Sequence, residues 1–346
     1  KQNKLPATNI YTIMQDNSGF VWLGAKGGGI TVSEFPLNNY EKYDDIKFYN
    51  YKHDANDNST LSNDFVYSII QDNNGVIWIG THGAGICKVQ NRTSDKLTCI
   101  HYNTNNSNIS SNLIRQIYQD SKNRIWFATT YGLNLLENNT YSEPARFVSF
   151  VHDISEPNSL SYNDVVHICE DSENKLWFGT SGGGVNYFID KENFDKGFNH
   201  LMINNGLIND AITGIASGKN GELWISTQNG ISRFNSNYES IENFDNTNGL
   251  VDSNFSENTS ASINSGQLVF GNSTGLLIVN PGIVTPRKFL PQICITNFML
   301  FNKDVNINDE NSPLIKNINY TEQIILKYNQ SSFSFEYGAL NFFDPE

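Results

Sequence analysis

An all-β chain assembled from small repeated sheets is the fold this sequence predicts, and three observations predict it. First, one phrase built around a tryptophan recurs. DNSGFVWLGAKGGG ends at Gly29, DNNGVIWIGTHGAG at Gly85, DSKNRIWFATTYG at Gly132, DSENKLWFGTSGGG at Gly184 and GKNGELWISTQNG at Gly230. A worn sixth copy, NSGQLVFGNSTG, ends at Gly275 with Val269 in the tryptophan's place. Second, the steps from Trp22 to Trp78, Trp126, Trp177, Trp224 and Val269 are 56, 48, 51, 47 and 45 residues, the period of a supersecondary unit. Third, short β-branched and aromatic runs alternate inside each period with turns rich in Gly, Asn and Asp. Four antiparallel strands per period make a propeller blade, and the count predicts six or seven four-stranded blades.

The second copy shows each element in order. Phe65 to Gln71 reads as a strand, Asp72-Asn73-Asn74-Gly75 as a tight turn and Val76 to Thr81 as a second strand. His82 to Gly85 turns again, Ile86 to Gln90 is the third strand, and Lys96 to Tyr102 the fourth. The wide indole of the second strand fills the gap between neighbouring blades, so the five tryptophans read as scaffold rather than ligand platforms. Asp16, Asp72, Asp120 and Asp171 each stand six residues before a tryptophan and read as turn caps. Gly218 and Val269 break the pattern in the last two copies, which predicts less regular packing there. The stretch from Ile30 to Thr60 is the longest gap between copies and is short for a whole extra blade.

After the sixth copy the texture changes. Pro281, Pro286 and Pro291 punctuate the chain, and Phe333 to Leu340 alternates, with Phe333, Phe335 and Tyr337 on one face and Ser334 and Glu336 on the other. This places a boundary near residue 285, giving a propeller over 1–285 and a second, incomplete domain over 286–346.

Composition excludes several classes of function. The net charge is −13 with only 17 % charged residues, which argues against nucleic acid and against docking on an anionic membrane surface. No signal peptide opens the chain, and no apolar run of about 18 residues occurs, so an export signal or membrane span is expected to lie outside it. Cys87, Cys99, Cys169 and Cys294 lack metal-ligand spacing and read as buried small hydrophobes. A Cys87–Cys99 disulfide across neighbouring strands stays open as an alternative. Catalytic motifs are absent: there is no nucleophile elbow, H-E-x-x-H, Walker loop or dinucleotide fingerprint. The six histidines are scattered without ligand spacing, so neither a cofactor nor a metal is expected.

Binding is the chemistry the pattern leaves room for. Propellers gather the loops between second and third strands around one mouth, and here the scaffold repeats while the loop tips do not. The candidate ligand-binding residues are Lys26, His82, Tyr131, Ser181, Gln228 and Asn229 at the tips, with Arg115 near the start of an inner strand. Thr130, Asn272 and Ser273 occupy neighbouring tip positions. Mixed polar and aromatic groups around a concavity suit a polyhydroxylated ligand, with Tyr131 the best stacking ring and Arg115 placed to reach an acidic sugar.

The repeat resembles the two-component-regulator propeller repeat. Asn248-Gly249-Leu250, Asp252-Ser253-Asn254-Phe255, Phe270-Gly271 and Asn280-Pro281 resemble the last blade of that array. Ile295-Thr296-Asn297-Phe298, Ile325-Leu326 and Phe333 to Leu340 resemble the opening strands of the Y-Y-Y domain, an immunoglobulin-like sandwich. The resemblance implies the periplasmic sensor region of a Bacteroidetes-type hybrid two-component system. It also implies an oligosaccharide ligand, control of carbohydrate-utilisation genes, a homodimer, a downstream membrane span and a histidine kinase in a separate cytoplasmic part. Family members commonly carry two propellers in series. Two other readings are kept: the sensor of a diguanylate cyclase, and a propeller glycan lyase or hydrolase.

Overall fold

The computed structural model describes residues 5, 9–37, 46–137, 145–218, 221–235, 240–284, 292–309 and 311–340. Two compact units divide the chain, Lys1–Val284 and Thr285–Glu346. The residues around that division, with Pro286 and Pro291, lie outside the described ones.

The first unit is a propeller. Among the described residues it holds five four-stranded antiparallel sheets and a sixth of three strands, each meandering from an inner strand outward. The inner strands are Ile10–Gln15, Val66–Gln71, Ile114–Gln119, Val165–Glu170, Ile212–Ser217 and Phe255–Ser262. Blade 2 continues through Ile77–Thr81, Ile86–Arg92 and Leu97–Tyr102. Neighbouring inner strands pack on each other in chain order from the first blade to the sixth.

Each tryptophan is sealed between blades, with 2 % exposure or less at all five. Its blade supplies the anchor. The first-turn aspartate accepts the indole Nε1–H on Oδ2 at 2.8 Å in four blades, pairing Asp16 with Trp22, Asp72 with Trp78, Asp120 with Trp126 and Asp171 with Trp177. The same carboxylate closes the turn through Oδ1, which accepts the backbone N–H groups two and four residues on, as Asp72 does from Asn74 and Val76. A cation covers the tryptophan as well: Arg92 over Trp22, Lys88 over Trp78, Arg124 over Trp126, Lys175 over Trp177 and Arg233 over Trp224.

Beside the tryptophan, the glycine in the middle of the second strand lets the next blade close in. A Cβ on Gly24, Gly80 or Gly179 would meet a γ-carbon of Val66, Ile114 or Ile212 at 2.6 Å. Hydrogen bonds stitch the far ends of the inner strands, where Gln71 accepts from the Asn17 N–H, Gln119 from Asn73 and Glu170 from Ser121.

The worn copies keep their strands and lose this anchor. Blade 5 has four strands and a buried Trp224, but Gly218 offers no carboxylate and the buried Trp224 Nε1 has no partner among the described residues. In blade 6 the sheet stops at Gly275–Val279. Elsewhere a fourth-strand residue of the next blade reaches the tryptophan's cluster: Cys99 beside Trp22, Phe147 beside Trp78, Phe198 beside Trp126 and Ile241 beside Trp177. Beside Trp224 that place is an apolar cavity of about 290 Å³, lined by Phe244, Leu250, Leu277 and Val284 among others. At the other end of the array, Ile13 of blade 1 is 72 % exposed, while its counterparts Ile69, Ile117, Ile168 and Ile215 are buried.

The four cysteines are free thiols, so the Cys87–Cys99 disulfide is not formed. Cys87 is buried, accepts a hydrogen bond from the Ser62 backbone N–H and shares another with the Ser62 hydroxyl at 3.0 Å. The second unit is a three-stranded antiparallel sheet with Gln292–Leu300 between Lys303–Asp304 and Phe333–Leu340. Its hairpin turns on Phe301 and Asn302, both at positive φ, and Phe298 is buried against Phe333 and Phe335.

Two outcomes are expected from urea unfolding. Asp72→Ala strips the acceptor from Trp78 and from two turn amides, and should cost about 2–4 kcal/mol, the scale for several buried donors left unpaired. Gly218→Asn should stabilise blade 5 by about 1 kcal/mol, the net worth of one restored hydrogen bond. A Cβ there has ordinary clearance of 3.5 Å or more. Asparagine is preferred to aspartate because Glu222, four residues on, already places a carboxylate on Arg233.

Candidate functional site at the propeller axis

The inner strands share a sequence frame: Ile-Tyr-Thr-Ile-Met-Gln, Val-Tyr-Ser-Ile-Ile-Gln, Ile-Arg-Gln-Ile-Tyr-Gln, Val-Val-His-Ile-Cys-Glu and Ile-Thr-Gly-Ile-Ala-Ser. The first and fourth positions are apolar in all five; the second is Tyr, Tyr, Arg, Val and Thr in turn. Pairing with the second strand slips at that same position in each, between Ile10 and Thr12, Val66 and Ser68, Ile114 and Gln116, Val165 and His167, and Ile212 and Gly214. A β-bulge leaves its extra residue unpaired and re-aims the side chain. The bulged residues are therefore Tyr11, Tyr67, Arg115, Val166 and Thr213, one variable group per blade.

The first three meet. Tyr11 stacks on Tyr67 with ring centroids 4.4 Å apart, and Tyr67 stacks on His82 at 4.5 Å. Arg115 follows, donating from Nε and Nη2 to the two oxygens of Asp164 at 3.1 and 2.8 Å and from Nη1 to Glu257 at 2.9 Å. Blades 1, 2, 3, 4 and 6 thus contribute to one cluster. Blade 6 reaches it through Ser256–Thr259, which interrupt strand pairing between Phe255 and Ser260. Within that stretch Asn258 takes a left-handed φ of 56° and donates to the Arg115 carbonyl.

Electrostatics follow from partial burial. Burial first, and the Arg115 charge second, lower the pKa of His82, so at neutral pH it stacks as neutral imidazole. Burial and the Tyr11 hydroxyl raise that of Tyr67, which keeps its proton. Lys26 lies close enough for its charge to act on His82. Two cations and two carboxylates leave the cluster close to neutral, within a chain of net charge −13.

The sequence-predicted residues divide. Lys26, His82 and Arg115 belong to the cluster. Lys26, His82 and Ser181 are fixed by isolated bridges to Phe65, Leu113 and Ala211 of the following blade, so these tips are held by backbone pairing. Tyr131 is 57 % exposed, and among the described residues no hydrogen bond, ring contact or ion pair joins Tyr131, Gln228 or Asn229 to the cluster, whereas the Ser181 backbone N–H donates to the Asp164 carbonyl at 2.9 Å. Arg115 is not a free cation awaiting an acidic sugar, because two carboxylates already hold it. Tyr11, Tyr67, Asp164, Glu257 and Asn258 were missed. The two tyrosines repeat one another at the same strand position, so they did not stand out as exceptions, and the bulge that frees them is visible only in the strand register.

His167, next to the bulge of blade 4, is fully enclosed. Its Nε2 lies 3.1 Å from Ser260 Oγ, and its Nδ1 has no partner among the described residues.

Five stretches match the family described as Two component regulator propeller: residues 4–27, 60–83, 108–131, 159–182 and 206–229. These five stretches carry two-component-regulator propeller repeats. Each matched stretch ends at a loop tip, on or just past Lys26, His82, Tyr131, Ser181 and Gln228. The chain is 26 % identical over 278 residues to Histidine kinase P4 of Formosa agariphila, covering 80 % of this chain and 20 % of that protein. Its fold is similar to the extracellular domain of a hybrid two component system from B. thetaiotaomicron, with a TM-score of 0.53 and 21 % identity over 98 % of this chain and 47 % of that one. The same propeller architecture occurs in virginiamycin B lyase from Staphylococcus aureus, with a TM-score of 0.55 and 17 % identity over 80 % of this chain and 81 % of the lyase. The chain spans a fifth of the curated relative and about half of the solved ectodomain. No helix among the described residues is long and apolar enough to cross a membrane.

The enclosure of His167 has a pH signature. Burial pulls its pKa from 6.5 down to about 4. The unfolded chain therefore takes up a proton between those values that the folded chain refuses. The stability present above pH 6.5 is lost as pH falls toward 4, by about 1.4 kcal/mol per unit and about 2–3 kcal/mol in all. The unfolding free energy of wild type minus that of His167→Gln should fall by this amount between pH 7 and pH 4. A difference that stays flat would place the imidazole in contact with solvent.

Proposed function

We propose that this chain is part of the extracytoplasmic sensing region of a hybrid two-component histidine kinase. In this reading the mouth of the propeller binds an oligosaccharide derived from a glycan. The repeats and the ectodomain likeness support the first half. The observation that carries the second is the bulge series: the scaffold frees one inner-strand residue per blade from the ladder, at the axis. There it assembles an aromatic stack beside an ion cluster. Sugar recognition uses such a combination, a ring face for the apolar C–H surface and fixed polar groups for hydroxyls.

The regulator repeats and the kinase relative favour a kinase output over a diguanylate cyclase. The second unit then reads as the opening strands of a Y-Y-Y domain leading to a membrane span. A homodimer in the periplasm passes the ligand signal to carbohydrate-utilisation genes. Such a ligand acts only by binding two states of the receptor differently.

Calorimetric titration of the dimeric ectodomain with a panel of oligosaccharides tests the ligand. Tyr67→Ala, which removes the middle ring of the stack, should weaken the binding sugar at least about tenfold, a loss of about 1.4 kcal/mol. Silence across the panel would sink the glycan reading, and turnover of a bound sugar would move the site to the lyase or hydrolase class.

A further inference from the structure

Arg115 is held by two carboxylates of different standing. Asp164 makes two parallel contacts through a side chain only 21 % exposed, while Glu257 makes one from a side chain 44 % exposed. A bidentate pair is geometrically fixed and strong, whereas a single contact from a half-exposed carboxylate contributes little. The backbone brings them differently too. Asp164 immediately precedes a regular inner strand, and Glu257 rides on the irregular Ser256–Thr259 stretch, 142 residues away in sequence from Arg115. Next to it Asn258 is left-handed, and its buried Oδ1 has no partner among the described residues. Its Nδ2 contact with the Arg115 carbonyl is long at 3.4 Å, and it is Thr259, at the end of the stretch, that is tied to the neighbouring strand through Gly271.

We propose that Glu257 occupies on Arg115 the place of a ligand carboxylate. The natural ligand then carries a uronic acid, whose carboxylate displaces Glu257 and releases the Ser256–Thr259 stretch of the last blade. The inference rests on the glycan reading and deepens it. Exchanging one carboxylate for another on a guanidinium preserves the charge pairing, and the bidentate Asp164 keeps Arg115 in place throughout. The stacked rings of Tyr11, Tyr67 and His82 lie alongside for the sugar bearing the acid. Glu257 also discriminates: while seated it repels acids, so only a ligand that also gains from stacking removes it.

The test titrates the ectodomain, Glu257→Gln and Arg115→Gln with trimers of galacturonate, glucuronate and mannuronate, with cellotriose as neutral control. Removing the internal competitor should tighten uronate binding by roughly twofold to fivefold in Glu257→Gln, a larger gain than cellotriose shows. Arg115→Gln should lose the uronate preference. Amide exchange over 256–259 should quicken when wild type binds the acid, a readout that a purely structural Glu257 would not move. Uronate affinity unchanged or weakened in Glu257→Gln, or kept in Arg115→Gln, overturns the inference. Neutral sugars bound with no preference for acids overturn it alone and leave the glycan reading standing. No saccharide bound by any form overturns both.

Discussion

One carboxylate at the first turn of each regular blade holds two things at once. Its Oδ1 closes the turn by accepting two backbone amides, and its Oδ2 takes the indole N–H six residues later. The indole cannot rotate without breaking a buried charge-assisted bond, so it presents a fixed flat wall to the next blade. Against that wall stand the apolar residues of the following inner strand, brought close by the glycine beside the tryptophan. The spacing and tilt of successive blades therefore descend from a pair of residues that never leave their own blade. Blade 5 shows what is lost without it: the tryptophan still packs, but among the described residues its donor is unpaired and an apolar cavity lies beside it.

A scaffold fixed this way tolerates variation where it does not need regularity. The β-bulge at the second inner-strand position removes one residue per blade from the ladder, so that residue is free of the packing rules that fix its neighbours. Tyr11, Tyr67 and Arg115 occupy these positions, and His82 comes from a tip pinned by backbone pairing. Side chains on pinned backbone are pre-organised, and binding then spends little on ordering them.

How far the sequence could be read follows from the same division. Strand order, turn positions and burial of the tryptophans were legible because they depend on local period and on residues a few places apart. The Asp–Trp spacing of six was visible, but the hydrogen bond was not, since a turn cap alone explains the aspartate. Lys26, His82 and Arg115 could be picked out as exceptions to the repeat. Tyr131 was as good an exception, and the structure leaves it standing in solvent. Asp164 and Glu257 carried no signal, because their partner lies 49 and 142 residues away.

By itself, then, the sequence determined the all-β propeller, the positions of its turns and the residues that seal one blade against the next. These follow from interactions repeated at short separation, and repetition makes them recognisable. The tertiary structure alone decided which variable residues meet, that Arg115 is already paired, and that the last blade reaches the axis through Glu257 and Asn258. Those contacts exist only once separate blades are arranged about a common axis, and no local period encodes a distance across it.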